Sequence, residues 1–238
     1  LFGVLPAYGF NTTLPDWSIG LEMQFYLLFP FMMLAVMRFG YATALLSMMA
    51  LSCAGRYLLP DYYEAFEMPS MILIKLNMFI SGMLLAEAVR RKSLLYVLFA
   101  LAGPAVSVLI GLGAIKLQVM LEALMIIGMA AVLWQYQESS LMAKLIRIPR
   151  KVLNNRLSTW LGDVSFSVYL LHLLIVIPAI ALLLNQTDIE YQNDLTRFLI
   201  VCAVSIPVTY ALASLLFNCV EKPGIKLGKK FLAPRPAR

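Results

Sequence analysis

The residues best suited to chemistry stand at the head of a long apolar run, Trp17-Ser18-Ile19-Gly20-Leu21-Glu22-Met23-Gln24-Phe25-Tyr26-Leu27-Leu28-Phe29-Pro30. A carboxylate, an amide, a hydroxyl and an indole there break an otherwise greasy segment. At helical spacing Ser18, Glu22, Phe25, Tyr26 and Phe29 share one face. Glu22 lies about 7.5 Å into the helix at ~1.5 Å per residue. A charge at that depth in lipid is costly, so it faces a bundle interior or a watery cavity, or it reaches back to the interface. Lys75 enters a later apolar segment from the same side to a similar depth. The two either pair, which lowers the cost of both, or line polar space separately.

A second constellation is Leu161-Gly162-Asp163-Val164-Ser165-Phe166-Ser167-Val168-Tyr169-Leu170-Leu171-His172. Ser165, Tyr169 and His172 fall at i, i+4 and i+7, on one helix face. His172 sits ~15 Å deep, near a bilayer midplane. An imidazole there handles protons or substrate, or it joins helices as a hydrogen-bonded neutral ring. Asp163 is expected to cap this helix. A third stretch, Asn218-Cys219-Val220-Glu221-Lys222-Pro223-Gly224, is read as structural, with the Pro-Gly pair expected to stop the last helix.

The elements that hold these residues follow from composition. The chain has 238 residues, 61% of them hydrophobic and 13% charged, with a mean hydropathy of +0.83. A soluble domain carries roughly 25% charged residues, so this is an all-α, polytopic transmembrane helix bundle. Seven spans are expected, over about 17–37, 41–59, 71–89, 94–115, 118–136, 160–184 and 197–219, each close to the ~20 residues a bilayer core requires. Residues 1–16 read as an external loop, 17–221 as the bundle and 222–238 as a cytoplasmic tail. Pro30, Pro104, Pro178 and Pro207 are tolerated inside spans because neighbours satisfy the freed carbonyls.

Charge sets the orientation. Of the cations, fifteen fall in one alternate set of loops and the tail, and three in the other. That bias puts the rich set, including 138–157, and the C-terminus in the cytoplasm, and 185–196 outside. The net charge of +6 therefore marks topology and no nucleic-acid partner. Arg90, Arg91, Arg147 and Arg150 could hold a phosphorylated cytosolic donor; as topology determinants or anionic-lipid contacts they fulfil a commoner role. Cys53, Cys202 and Cys219 lie in apolar runs without metal-ligand spacing, and a single histidine excludes a multi-histidine metal site, so no metal is expected. No nucleophile elbow, P-loop or dinucleotide fingerprint occurs.

Together the three stretches resemble the acyltransferase 3 family of membrane O-acyltransferases. Trp17-Ser18-x-x-x-Glu22-x-x-Phe25-Tyr26-Leu27-x-x-Pro30 looks like its first signature, Leu161-Gly162 through Ser165, Tyr169-Leu170 and His172 like its second, and Glu221-Lys222-Pro223 like its close. The resemblance implies about ten membrane helices in a complete protein, both termini cytoplasmic, in a bacterial inner membrane. It implies transfer of an acyl group, commonly acetyl from cytosolic acyl-CoA as co-substrate with no bound cofactor, to a hydroxyl of a carbohydrate or cell-surface glycan. Glu22 would be catalytic, with Trp17, Ser18, Tyr26, Lys75, Ser165, Tyr169 and His172 shaping the site. The family's proposed catalytic histidine belongs to a first helix that this sequence lacks. The chain is therefore expected to be an N-terminally truncated portion, with a fragment inactive alone as one alternative. A transporter or flippase for a lipid-linked glycan is the rival reading, since kinked helices and polar intramembrane residues suit both.

Overall fold

A computed structural model describes residues 4–5, 16–109, 116–136, 140–186 and 191–232. Every element in them is helical: α1 (Asp16–Phe39), α2 (Tyr41–Leu58), α3 (Pro60–Glu64), α4 (Ile72–Arg91), α5 (Leu94–Leu109), α6 (Lys116–Leu133), α7 (Leu141–Leu153), α8 (Arg156–Gln186), α9 (Asp194–Leu216) and α10 (Lys222–Leu232), with a π-helical turn at Phe217–Glu221 joining the last two. The chain forms two compact units, one over Asp16–Lys151 and one over the described part of Val152–Arg238.

Among the described residues four helices are long and apolar enough to cross a membrane: Trp17–Phe39, Ile72–Arg91, Arg156–Gln186 and Asp194–Phe231. The other three expected spans are helical as well. Leu94–Val106 and Val119–Leu133 are apolar but shorter, and α2 spends part of its length on Thr43, Ser47, Ser52 and Arg56.

In the first unit α4 is the central helix. Leu76, Ile80 and Leu84 recur at i, i+4 and i+8 and meet Met32 and Val36 of α1, Leu45 and Met49 of α2, Ala100 of α5 and Ile126 and Ala130 of α6. Two of its polar side chains, Asn77 and Glu87, are bound to neighbours. Asn77 Nδ2 donates to the Gly103 carbonyl at 3.2 Å, and the absence of a side chain at Gly103 lets α5 come that close. A Cβ there would stand 2.0 Å from Ser81 Oγ and 2.9 Å from the Asn77 carbonyl. The start of α4 is held from α1: Ile72 N–H donates to Gln24 Oε1 at 2.9 Å while Gln24 Nε2 donates to the Ser70 carbonyl at 2.8 Å. That side chain satisfies one of the donors a helix N-terminus leaves open. Ser52 Oγ on α2 donates to the Leu73 carbonyl at 2.9 Å. In the corner after α2, burial pushes the Tyr63 phenol up, against the pull of Arg56.

The second unit is the α8–α9 hairpin with its extension. It closes on small and polar residues: Val164 and Ser167 on α8, Ser205, Thr209 and Ala213 on α9. Trp160 and Tyr210 add a ring contact with centroids 5.6 Å apart. Asn193 caps α9, accepting from Thr196 N–H at 2.8 Å.

Three expectations are corrected. Asp163 is not a cap: α8 starts at Arg156, and the exposed Asp163 lies two turns inside it. Asn155 does the capping, accepting from Ser158 N–H at 2.9 Å. Pro223-Gly224 does not stop the last helix. Proline lacks an N–H and is tolerated where an α bond is already lost. Here the bond before it is widened to a π turn, Lys222 N–H reaching the Phe217 carbonyl, and α10 runs on. Finally, 138–157 is no plain loop, because α7 occupies most of it. Asp188, Glu190 and most of the 1–16 segment lie outside the described residues.

Candidate functional site

The buried stripe of α1 runs through Leu21, Met32 and Val36, with Phe25 and Leu28 packed against the same core. Glu22 comes one residue after Leu21, about 100° round the helix, and so sits on the flank of that stripe, half-buried. Trp17 and Ser18 are half-buried a turn earlier. Tyr26 is further round and 65% exposed, so its ring lies outside the enclosed space.

The packing that fixes this flank is a stack between α1 and α4. Phe25 and Phe79 lie with centroids 4.3 Å apart and planes inclined by 22°, and Phe29 adds a tilted contact to Phe25 at 5.6 Å. Glu22 precedes Phe25 by three residues and Lys75 precedes Phe79 by four, so each charge stands one turn before a ring of the same stack. Lys75 is half-buried as well. The two do not pair: the ion pairs among the described residues are those of Glu87 with Arg90 and Arg91 and of Asp194 with Arg197. Of the two possibilities open in the sequence, the ion pair is therefore not formed among the described residues. A carboxylate and an ammonium in no ion pair among the described residues can accept from and donate to a bound hydroxyl or carbonyl, which Gln24, Ser52 and Asn77, engaged on backbone groups, do less freely.

The arginines behave differently from one another. Glu87 is 2% exposed and receives Arg90 Nε at 2.7 Å, Arg90 guanidinium nitrogen at 2.5 Å and Arg91 Nε. Arg91 also lies over the Tyr96 ring, 5.3 Å from its centroid. This knot closes the end of α4, where Lys92 takes a left-handed conformation with φ 54°. Arg150 Nε donates to the Val132 carbonyl at 2.7 Å, and its guanidinium also meets the Trp134 carbonyl. It neutralises the carbonyl end of α6. Arg147 is exposed. Three of the four arginines are thus partly spent on the fold. Glu87 escaped sequence reasoning because an acid next to Arg90-Arg91 in a cation-rich segment reads as surface charge; its position on the Leu76–Ile80–Leu84 face was the available signal.

In the second unit the three expected residues share a helix and hydrogen-bond locally. Ser165 Oγ donates to the Gly162 carbonyl at 2.7 Å. His172 Nδ1 lies 2.6 Å from the Tyr169 carbonyl, which fits a proton on Nδ1 and leaves Nε2 as the acceptor; the two rings are 5.6 Å apart. The long-range polar bond is elsewhere: Ser167, 1% exposed, donates through Oγ to Glu221 Oε2 at 2.9 Å. It ties the second sequence stretch to the third, which spacing across 54 positions could not reveal.

Among the described residues no group of three His, Cys, Asp or Glu is placed to hold a metal ion, and Cys53, Cys202 and Cys219 are free. Two apolar grooves are present, one of about 370 Å³ lined by Leu94, Ile127 and Trp134 among others, one of about 330 Å³ lined by Ala35, Phe39 and Met48 among others. Neither includes a candidate residue. A family model described as an acyltransferase domain matches residues 2–214. No curated protein matches the chain, and no solved structure does.

Proposed function

Since the chain belongs to the acyltransferase 3 family, we propose that it carries an acyl group, acetyl first among candidates, from cytosolic acyl-CoA to a hydroxyl of a carbohydrate or cell-surface glycan. The observation that carries the reading is Glu22: a half-buried carboxylate inside an apolar helix, within the matched residues 2–214 and in no ion pair among the described residues. In this reading the protein crosses the bacterial inner membrane with seven helices and a cytoplasmic C-terminus, as the cation asymmetry favours.

The acceptor hydroxyl binds against Glu22, which takes its hydrogen bond and orients the oxygen. The oxygen attacks the thioester carbonyl while a general base takes the proton. The new C–O bond replaces the C–S bond, coenzyme A leaves as thiolate and is protonated. Lys75 stabilises the charge that develops on the carbonyl oxygen, as a donor aimed at that oxygen would. Trp17 and Ser18 bound the site from the same turn of α1. His172, with Tyr169 and Ser165, belongs to the second unit and supports the helix it stands on.

The test is transfer by the protein in proteoliposomes, with acetyl-CoA labelled in the acyl group and an oligosaccharide acceptor. Label appearing in the acceptor together with stoichiometric free thiol is the expected result. Movement of the acceptor across the bilayer with no thiol released would overturn it in favour of a transporter.

A further inference from the structure

The geometry points to α7 as an in-plane helix that docks on an anionic lipid surface. Its 13 residues span about 20 Å, too short for a hydrocarbon core of ~30 Å. Its two ends are closed by their own caps: Ser140 Oγ accepts from Ala143 N–H at 3.1 Å, and Asn155 Nδ2 donates to the Val152 carbonyl at 2.5 Å. The helix meets the rest of its unit along one narrow flank, through the buried Ile146 and the Arg150 bond to the Val132 carbonyl at the end of α6. That flank fixes its rotation.

On either side of the flank the chemistry separates. Lys144, Arg147 and Lys151 fall at i, i+3 and i+7, a single basic face, all exposed and in none of the described ion pairs. Leu141, Leu145, Ile148 and Val152 form the other face, and each is more than half exposed. A water-facing helix does not leave such a stripe uncovered, and a crossing helix does not carry three cations along one side. An apolar stripe under a lysine and arginine face is the pattern of a helix lying in the headgroup layer, its apolar side sunk ~5–10 Å and its cations drawing acidic lipid. Charge complementarity selects anionic over zwitterionic headgroups.

The experiment uses the full chain with Cys53, Cys202 and Cys219 replaced by serine, carrying an environment-sensitive fluorophore at Ile148→Cys or at Arg147→Cys. In vesicles of phosphatidylcholine and phosphatidylglycerol, the label at 148 is expected to be quenched by spin-labelled lipid and shielded from aqueous iodide, and the label at 147 to show the reverse. Iodide reaching both positions equally overturns the docking. Enrichment of phosphatidylglycerol at the protein is measured alongside. It should fall about fivefold per charge removed in Lys144→Gln, Arg147→Gln and Lys151→Gln combined. Unchanged enrichment overturns the lipid preference. If that variant folds poorly, the unmodified protein answers: enrichment should fall between 0.05 and 0.5 M salt at about the rate screening dictates. Loss of enrichment to millimolar inorganic phosphate at constant ionic strength would overturn the proposal, since it marks a site for a soluble phosphate.

Discussion

Set α4 of the first unit beside α8 of the second and the ordinary relation between apolarity and burial is reversed. α8 is the more apolar of the two, yet 6% of its most apolar window is buried, against 44% for α4. In water the greasier helix would be inside. In lipid the solvent itself is apolar, so burial goes instead to helices whose polar groups need partners and whose small residues permit close approach. α4 has both: Asn77 and Ser81 face Gly103, Glu87 gathers two arginines, and its N-terminus is held by Gln24. The α8–α9 hairpin makes do with small side chains and the Ser167–Glu221 bond. Within the first unit, polar content and close approach, more than hydropathy, go with the burial of α4.

The largest effect tests whether Glu22 belongs to that structural economy at all. Glu22→Gln should lower acyl transfer about 100-fold, near 2.7 kcal/mol of barrier, with the melting temperature unchanged because no ion pair among the described residues is lost. A large drop in melting temperature would place Glu22 with the structural groups of α4. Next is Gly103→Ala, which forces a methyl against Ser81 Oγ and the Asn77 carbonyl. It should cost roughly 2.5 kcal/mol, toward the upper end for overpacking, read by thermal unfolding in detergent. Adding Ser81→Ala should recover only part, since the Asn77 carbonyl stays in place. A neutral Gly103→Ala would dissolve the contrast between the units. Gln24→Ala should cost about 2 kcal/mol through two lost bonds at the head of α4. The smallest change is Ser167→Ala, at about 1 kcal/mol for a single hydrogen bond, and it should leave the first unit's proteolysis pattern untouched. A Ser167→Ala loss exceeding that of Gln24→Ala would reverse the ranking and give the hairpin the tighter polar lock.

How far the sequence could be read depended on whether a signal was local. Seven apolar segments are visible in composition, and each is helical over most of its described residues, four of them at a length that crosses a membrane. The stretches around Glu22 and His172, both within the matched residues 2–214, were legible for the same reason: each lies within one helix. What escaped involved partners far apart in the chain. The stack of Phe25 on Phe79, the Gln24 cap on Ile72 and the Ser167–Glu221 bond need the fold to bring residues together. Tyr26 shows the limit of a helical wheel: a shared face with Glu22 did not keep it from the exterior, because the wheel has no direction until neighbours are known. Asp163 was misread because a good cap residue was mistaken for the boundary itself, two turns late. α7 was missed because its cations were tallied for topology instead of being placed around a helix.

The π turn ahead of Pro223 has a consequence for angular register. Helices accumulate about 100° per residue, so a wide turn that absorbs one extra residue leaves everything after it facing as though the chain were one residue shorter. Lys222, Lys226, Lys229 and Lys230 cluster on one side of α10, and the azimuth of that side is set by the widened turn at Phe217–Glu221. Replacing Pro223 with alanine restores the missing N–H and allows regular α bonding through the junction. The same four lysines would then swing by about 100° around the axis, with no change in their order or spacing. One proline thus acts as the set screw that decides which way the helix's positive side points.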